Sequence, residues 1–235
     1  MILLCAIFRV YARYFAHMRA TLLIGMDVSH PFTALIPTLD SAVLSVLART
    51  TRPQTGREVA LAAGRSPSGV RPVLDRLAEQ GLVDSERAGR AYVYTLNREH
   101  LAAPAVEALA GLRSGLVDRL RQEIAGWRIA PAHASLFGSA ARGDGDAASD
   151  VDLFILRPEG IEAEDATWRD QLDRLAEGVR RWTGNPAGIA ELSTDQLATL
   201  RKRRPPVLKD LDADAITLAG PDVGALLRGE GDGSP

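Results

Sequence analysis

Leu136-Phe137-Gly138-Ser139-Ala140-Ala141-Arg142-Gly143, followed by Ser149-Asp150-Val151-Asp152-Leu153-Phe154-Ile155-Leu156, is the stretch from which the rest of the chain is read. An apolar run ends in Gly-Ser, a polar loop follows, and a second apolar run opens on two aspartates one residue apart. Side chains alternate along an extended strand, so Asp150 and Asp152 are expected to share a face. Adjacent carboxylates repel unless a cation lies between them, and hard oxygen donors of this kind suit Mg²⁺. Gly138-Ser139 falls where a strand should turn into a helix. Backbone N–H groups at such a turn, with a small hydroxyl beside them, form a seat for phosphate. A phosphate seat and a Mg²⁺ site on neighbouring strands together point to nucleoside-triphosphate chemistry.

The whole string, with the Gly-Ser turn, the Ala-Arg-Gly after it, the Ser before Asp150 and the apolar run after Asp152, resembles the polymerase-β-like nucleotidyltransferase superfamily. In particular it resembles the small MNT-type members of that superfamily. The resemblance is close over residues 134–156 and looser to about residue 220. It implies transfer of NMP from an NTP, ATP being the expected donor, to a hydroxyl. It also implies Mg²⁺ held by Asp150 and Asp152, with Gly138 and Ser139 on the β- and γ-phosphates. Arg142 would either neutralise phosphate charge or serve the structure. Relatives add a third carboxylate from a later strand. Glu191 is the acid inside a predicted strand here, where many relatives have Asp, and Asp195 is the fallback.

The chain has 235 residues, 46% of them hydrophobic, and a formal charge of −2, enough for one large or two small domains and with no overall basic character. A single cysteine, Cys5, excludes an internal disulfide framework and fits a reducing cytosol. No Cys/His clustering suggests structural zinc. Residues 1–25 lack Asp and Glu and carry Arg9, Arg13, His17 and Arg19 among apolar residues. Their apolar run is too short to span a bilayer, so no membrane insertion is expected. The segment is either an amphipathic extension or the product of an upstream start codon, and translation from Met26 is the expectation.

Residues 26–97 have a different pattern. Leu39, Val43, Leu44, Val46 and Leu47 recur at helical spacing after Thr38, and Arg49–Gln54 has the composition of a turn. Thr55 with Glu58 three residues on is a capping-box signature for a short helix. Ser66-Pro67 opens another helix, buried through Val70, Val73, Leu74 and Leu77 and stopped at Gly81. Two alternating strands, 82–86 and 91–96, then flank Arg87-Ala88-Gly89-Arg90. Helix–turn–helix followed by such a hairpin resembles the winged helix of MarR- and ArsR-like regulators. That resemblance implies double-stranded DNA as partner. Ser66, Ser68 and Arg71 would lie at the major groove, Arg87 and Arg90 on the wing, and Arg65 and Arg76 on the same face. Docking of a protein is the competing use of the module.

Residues 98–130 are expected to form one connector helix from Pro104, with Leu109, Leu112, Leu116, Leu120 and Ile124 at helical spacing. It either makes a homodimer or packs beneath the catalytic sheet. Residues 131–220 alternate strands and helices, the expected α/β (α+β) nucleotidyltransferase-type mixed sheet with flanking helices, and 221–235 are expected to be a flexible tail. The run Arg201-Lys202-Arg203-Arg204 is either a phosphate-binding patch or a solvated helix end. No helical acceptor domain follows residue 220, so the acceptor should come from a dimer mate, the winged helix or a partner protein. MNT-type relatives act on partner toxins of the HEPN kind. The competing class is a DNA-binding regulator whose nucleotidyltransferase-like half only senses nucleotide.

Overall fold

The computed structural model describes residues 25–203 and 206–229. The expected extension over residues 1–25, Gly25 excepted, and the last residues of the tail lie outside these. The chain folds as two compact units, His30–Gly115 and, from residues 25–29 with 116–229, a second one. Among the described residues no helix is long and apolar enough to cross a membrane.

The first unit begins with a single 3-10 turn, Pro31–Ala34, that buries Phe32. Helix α1 (Leu39–Ala48) places Val43, Leu44 and Leu47 in the core. Helix α2 (Gly56–Ala62) opens on the expected capping box, in which Thr55 and Glu58 satisfy each other's backbone N–H groups. Helix α3 (Pro67–Glu79) starts at Ser66, whose hydroxyl accepts from the Gly69 N–H, and buries Val70, Leu74 and Leu77. Strands β2 (Val83–Ala88) and β3 (Ala91–Leu96) form the hairpin, with Gly89 at φ +63° in its turn. Gln54–Thr55 is a short strand, β1, rather than the end of a turn. It pairs with β3 and gives an antiparallel sheet in the order β1-β3-β2. Two paired residues are too few to leave a periodic signal. Three helices with this sheet make the winged-helix arrangement.

The connector is two helices, α4 (Ala103–Ala110) and α5 (Leu112–Ala125). Gly111 separates them, and glycine is among the worst helix residues because it exposes backbone and loses most entropy. The Ser114 hydroxyl donates to the Gly111 carbonyl at 2.8 Å. Val106 of α4 is buried in the first unit's core, whereas Leu116, Val117, Leu120 and Ile124 of α5 are buried in the second's. That part of the apolar stripe is therefore used inside the chain.

The second unit is a mixed four-stranded sheet in the order β6-β5-β4-β7, formed by β4 (His133–Phe137), β5 (Val151–Leu156), β6 (Ala187–Leu192) and β7 (Ile216–Ala219). β5 and β6 are parallel, while β4 runs antiparallel to β5 and β7. Helix α6 (Gly138–Arg142) joins β4 to the loop before β5, and α7 (Ala166–Thr183) connects β5 to β6. Asp165 caps α7 by accepting from the Trp168 N–H at 2.9 Å. The helix buries Trp168, Leu172, Leu175 and Val179 on the sheet face that carries Val151, Leu153 and Ile155. Trp127 meets Trp168 edge-on at 5.5 Å, a geometry the aromatic quadrupole favours. On the other face Phe137, Phe154 and Leu156 pack with Leu197 and Leu200 of α8 (Thr194–Arg203) and with Leu208 and Leu211 of α9 (Pro206–Asp214). Residues 223–228, expected to be tail, form helix α10 (Val223–Arg228). The Asp222 carboxylate caps it on the Gly224 and Ala225 N–H groups, and Val223 is buried. The buried Val223 and the cap outweigh the glycine-rich composition of the chain end.

Candidate active site

Asp150 and Asp152 flank the buried Val151 at the start of β5. Val151 and Leu153 point into the α7-side core, so strand alternation sends both carboxylates to the opposite face. Burial pushes the Asp150 carboxyl above the usual range, because a charged group there is poorly solvated. Phe137 is the register partner of Asp152. The chain turns sharply at the next residue, where Gly138 takes φ +70°. A Cβ on Gly138 would stand 2.5 Å from the Asp152 Oδ2. Position 138 thus requires glycine twice, for its left-handed backbone and for the carboxylate against it. Asp152 and the Gly-Ser turn are in direct contact.

The loop after α6 closes over this turn. Gly143 ends the helix in the left-handed conformation, its N–H donating to the Ser139 carbonyl at 2.8 Å. Gly145 packs on Ser139 so closely that a Cβ would lie 2.7 Å from the Ser139 Oγ. Asp146 accepts from the Ala148 N–H and the Ser149 hydroxyl, both at 2.9 Å, and these bonds hold its carboxyl below the usual range. Arg142 donates through Nε to Asp144 at 2.9 Å and lies 3.7 Å from Asp214. Its guanidinium joins the loop to the end of α9.

Glu191 is not brought to the aspartates. Parallel pairing sets Asp152 beside Gly188 and Ile155 beside Glu191, so Glu191 lies on the α7 side of the sheet. There it accepts from the Trp168 Nε1 at 2.8 Å and pairs with Arg157 at 2.5 Å, with both ionic side chains 11% exposed. On β6 the residues that share the face of Asp152 are Gly188 and Ala190. Asp195 lies in the first turn of α8, after a reciprocal Ser193–Gln196 cap. Among the described residues no three His, Cys, Asp or Glu side chains are grouped to hold a metal. Two oxygen-bearing carboxylates do fit one Mg²⁺. That ion commonly takes one or two carboxylates and completes its shell with phosphate oxygens and water.

In the first unit, Arg71, Arg87 and Arg90 are exposed, on α3 and at the hairpin tip. Arg71 lies 3.7 Å from Asp75, and the Arg87 Nε donates to the Gly89 carbonyl at 3.3 Å. The Ser66 hydroxyl is the α3 cap, and Ser68 donates to it at 3.3 Å. Arg65 is exposed. Arg76 pairs instead with Asp40 and reaches the Gln80 Oε1.

Residues 116–182 match the family model of the nucleotidyltransferase domain. The match spans β4, the Gly-Ser turn, β5 and α7, and ends before β6. No curated protein matches the chain. Solved structures similar to it include ZitR of Lactococcus lactis, 24% identical, with 36% of this chain and 57% of that chain covered and a TM-score of 0.30. Human N-acetylserotonin methyltransferase is 17% identical, with 38% and 31% covered and a TM-score of 0.25. At those TM-scores neither likeness bears on function.

Sequence reasoning missed Ser29, Gly145 and Asn185. They reach the site through pairings between residues distant in the chain, Gly145–Ser29 and Asn185–Ser149, and such pairings leave no local pattern.

Proposed function

We propose that the second unit seats a Mg²⁺-bound NTP, ATP for choice, and transfers its nucleotidyl group to a hydroxyl. The observation that carries this is the close approach of Gly138 to Asp152, which joins the phosphate turn to the metal acid. Asp150 and Asp152 would hold the ion. When bound, Mg²⁺ would offset the phosphate charge and tie the triphosphate to the two carboxylates. Gly138 gives its backbone and Ser139 its hydroxyl to the β- and γ-phosphates, orienting the α-phosphorus for in-line attack. The acceptor oxygen bonds to that phosphorus, the bond to the bridging oxygen breaks, pyrophosphate leaves and the hydroxyl proton passes to solvent. The acceptor is expected on a partner protein. The first unit is the DNA-binding half, through Arg71, Arg87 and Arg90 with Ser66 and Ser68 at the start of α3.

A second reading is favoured by Gly188 and Ala190, which occupy the positions on β6 where a third acid would face Asp152. In that reading the chain is a DNA-binding regulator that senses Mg·NTP and releases it unchanged. Incubation with labelled ATP, Mg²⁺ and cell extract separates the two. Labelled product that vanishes in Asp150→Asn supports transfer. Saturable binding of ATP without product supports sensing, and neither binding nor product would overturn both.

A further inference from the structure

We propose that Ser29 is a positioning residue for the nucleotide site and that residues 25–29 act as a strap on the loop beside it. The inference rests on the nucleotide reading above and holds for transfer and for sensing alike. Ser29 is only 5% exposed, and its Oγ accepts from the Gly145 N–H at 2.8 Å. The Gly145 N–H is an obligatory donor in a loop that makes no ladder, and a partner 116 residues away in the chain satisfies it. Gly145 is the residue packed on Ser139, so this bond braces the loop against the hydroxyl assigned to phosphate.

The strap itself is held at several points. The Ser29 N–H donates to the Asp27 Oδ1 at 2.9 Å, and Val28 is buried in the core beneath the sheet. The Met26 N–H donates to the Thr183 carbonyl at 2.9 Å and to the Asn185 Oδ1 at 3.0 Å. Asn185, 1% exposed, in turn donates from Nδ2 to the Ser149 carbonyl at 2.9 Å. A side chain at Gly25 would collide with Asn185, the Cβ falling 2.5 Å from its Cγ. The strap therefore grips the loop at both ends. Ser29 holds Gly145 beside Ser139, and Asn185 links Met26 to Ser149, the residue before Asp150. The loop the strap holds thus meets both halves of the site, Gly145 at Ser139 and Ser149 beside Asp150.

The test is calorimetric titration of the full chain with Mg·ATP, at a temperature well below each variant's melting midpoint. Ser29→Ala leaves the Gly145 N–H without its partner and should raise the Kd about tenfold, and Ser29→Thr, which keeps the hydroxyl, should restore it. Gly145→Ala, whose Cβ would meet the Ser139 Oγ, should weaken binding independently of the strap. DNA binding by all three should match the wild type, which a general loss of structure would not allow. Ser29→Ala that binds Mg·ATP within twofold of the wild type would overturn the proposal, whatever Gly145→Ala does. A wild-type chain that binds no Mg·ATP would overturn the nucleotide reading itself, and the proposal with it.

Discussion

His133, at the start of β4, is fully buried, with its ring tilted on Phe154 at 5.7 Å. Nδ1 lies 2.9 Å from the Pro221 carbonyl, which assigns the neutral ring's proton to that nitrogen, and Nε2 has no partner among the described residues. Burial holds the ring's pKa below its ordinary 6.5. The unfolded chain therefore takes up a proton near that value which the folded chain refuses until lower pH. Stability from this group is complete above about pH 6.5 and is lost as pH falls toward the folded pKa. Within that window the slope approaches about 1.4 kcal/mol per pH unit for one proton. Melting followed between about pH 7.5 and 5.5 should show a fall that His133→Gln flattens, whereas parallel curves would assign the fall to other groups. None of this could be read from the sequence, where His133 is one polar residue in an apolar run. Glu191 fails the same way in reverse. Its residue type and strand were legible, but its face depends on the β5–β6 register, and a shift by one residue reverses every side chain.

At the scale of elements, α3 and the β2–β3 hairpin were legible because each carries its own local signals. The Thr55–Glu58 box, Ser66-Pro67, Gly81 and the Gly89 turn all stand where the sequence places them. Helix α7 was legible for another reason: its apolar stripe from Trp168 to Val179 fits one face of a long helix. Helix α10 was hidden because the Asp222 cap and the burial of Val223 outweigh weak local preference. The break at Gly111, though it follows glycine's poor helix propensity, was masked by the apolar spacing that runs on through Leu109 and Leu112. The exposed arginines of α3 and the hairpin lead to a measurable consequence. Arg71→Ala with Arg87→Ala and Arg90→Ala should weaken duplex binding uniformly across sequences. For every arginine that neutralises a phosphate, its removal should lower the magnitude of the salt slope by about one. A triple variant with the wild-type slope would make the winged helix a protein-docking module.

At the scale of the molecule, the chain is two units with separate cores, one built around Leu47, Val59 and Leu74 and the other around the β4–β7 sheet. A change confined to the second site should therefore leave the first unit's binding intact. Asp152→Asn replaces the carboxylate proposed to hold the metal by an amide of nearly the same shape. The decisive measurement is Mg·ATP binding by wild type and Asp152→Asn side by side, with duplex DNA binding measured on the same samples. The wild type should bind ATP saturably and only with Mg²⁺. Asp152→Asn should lose at least about tenfold in that affinity, with DNA affinity within a few fold in a chain that remains folded. Equal Mg·ATP affinity in a folded Asp152→Asn chain would contradict the assignment of these aspartates to the metal.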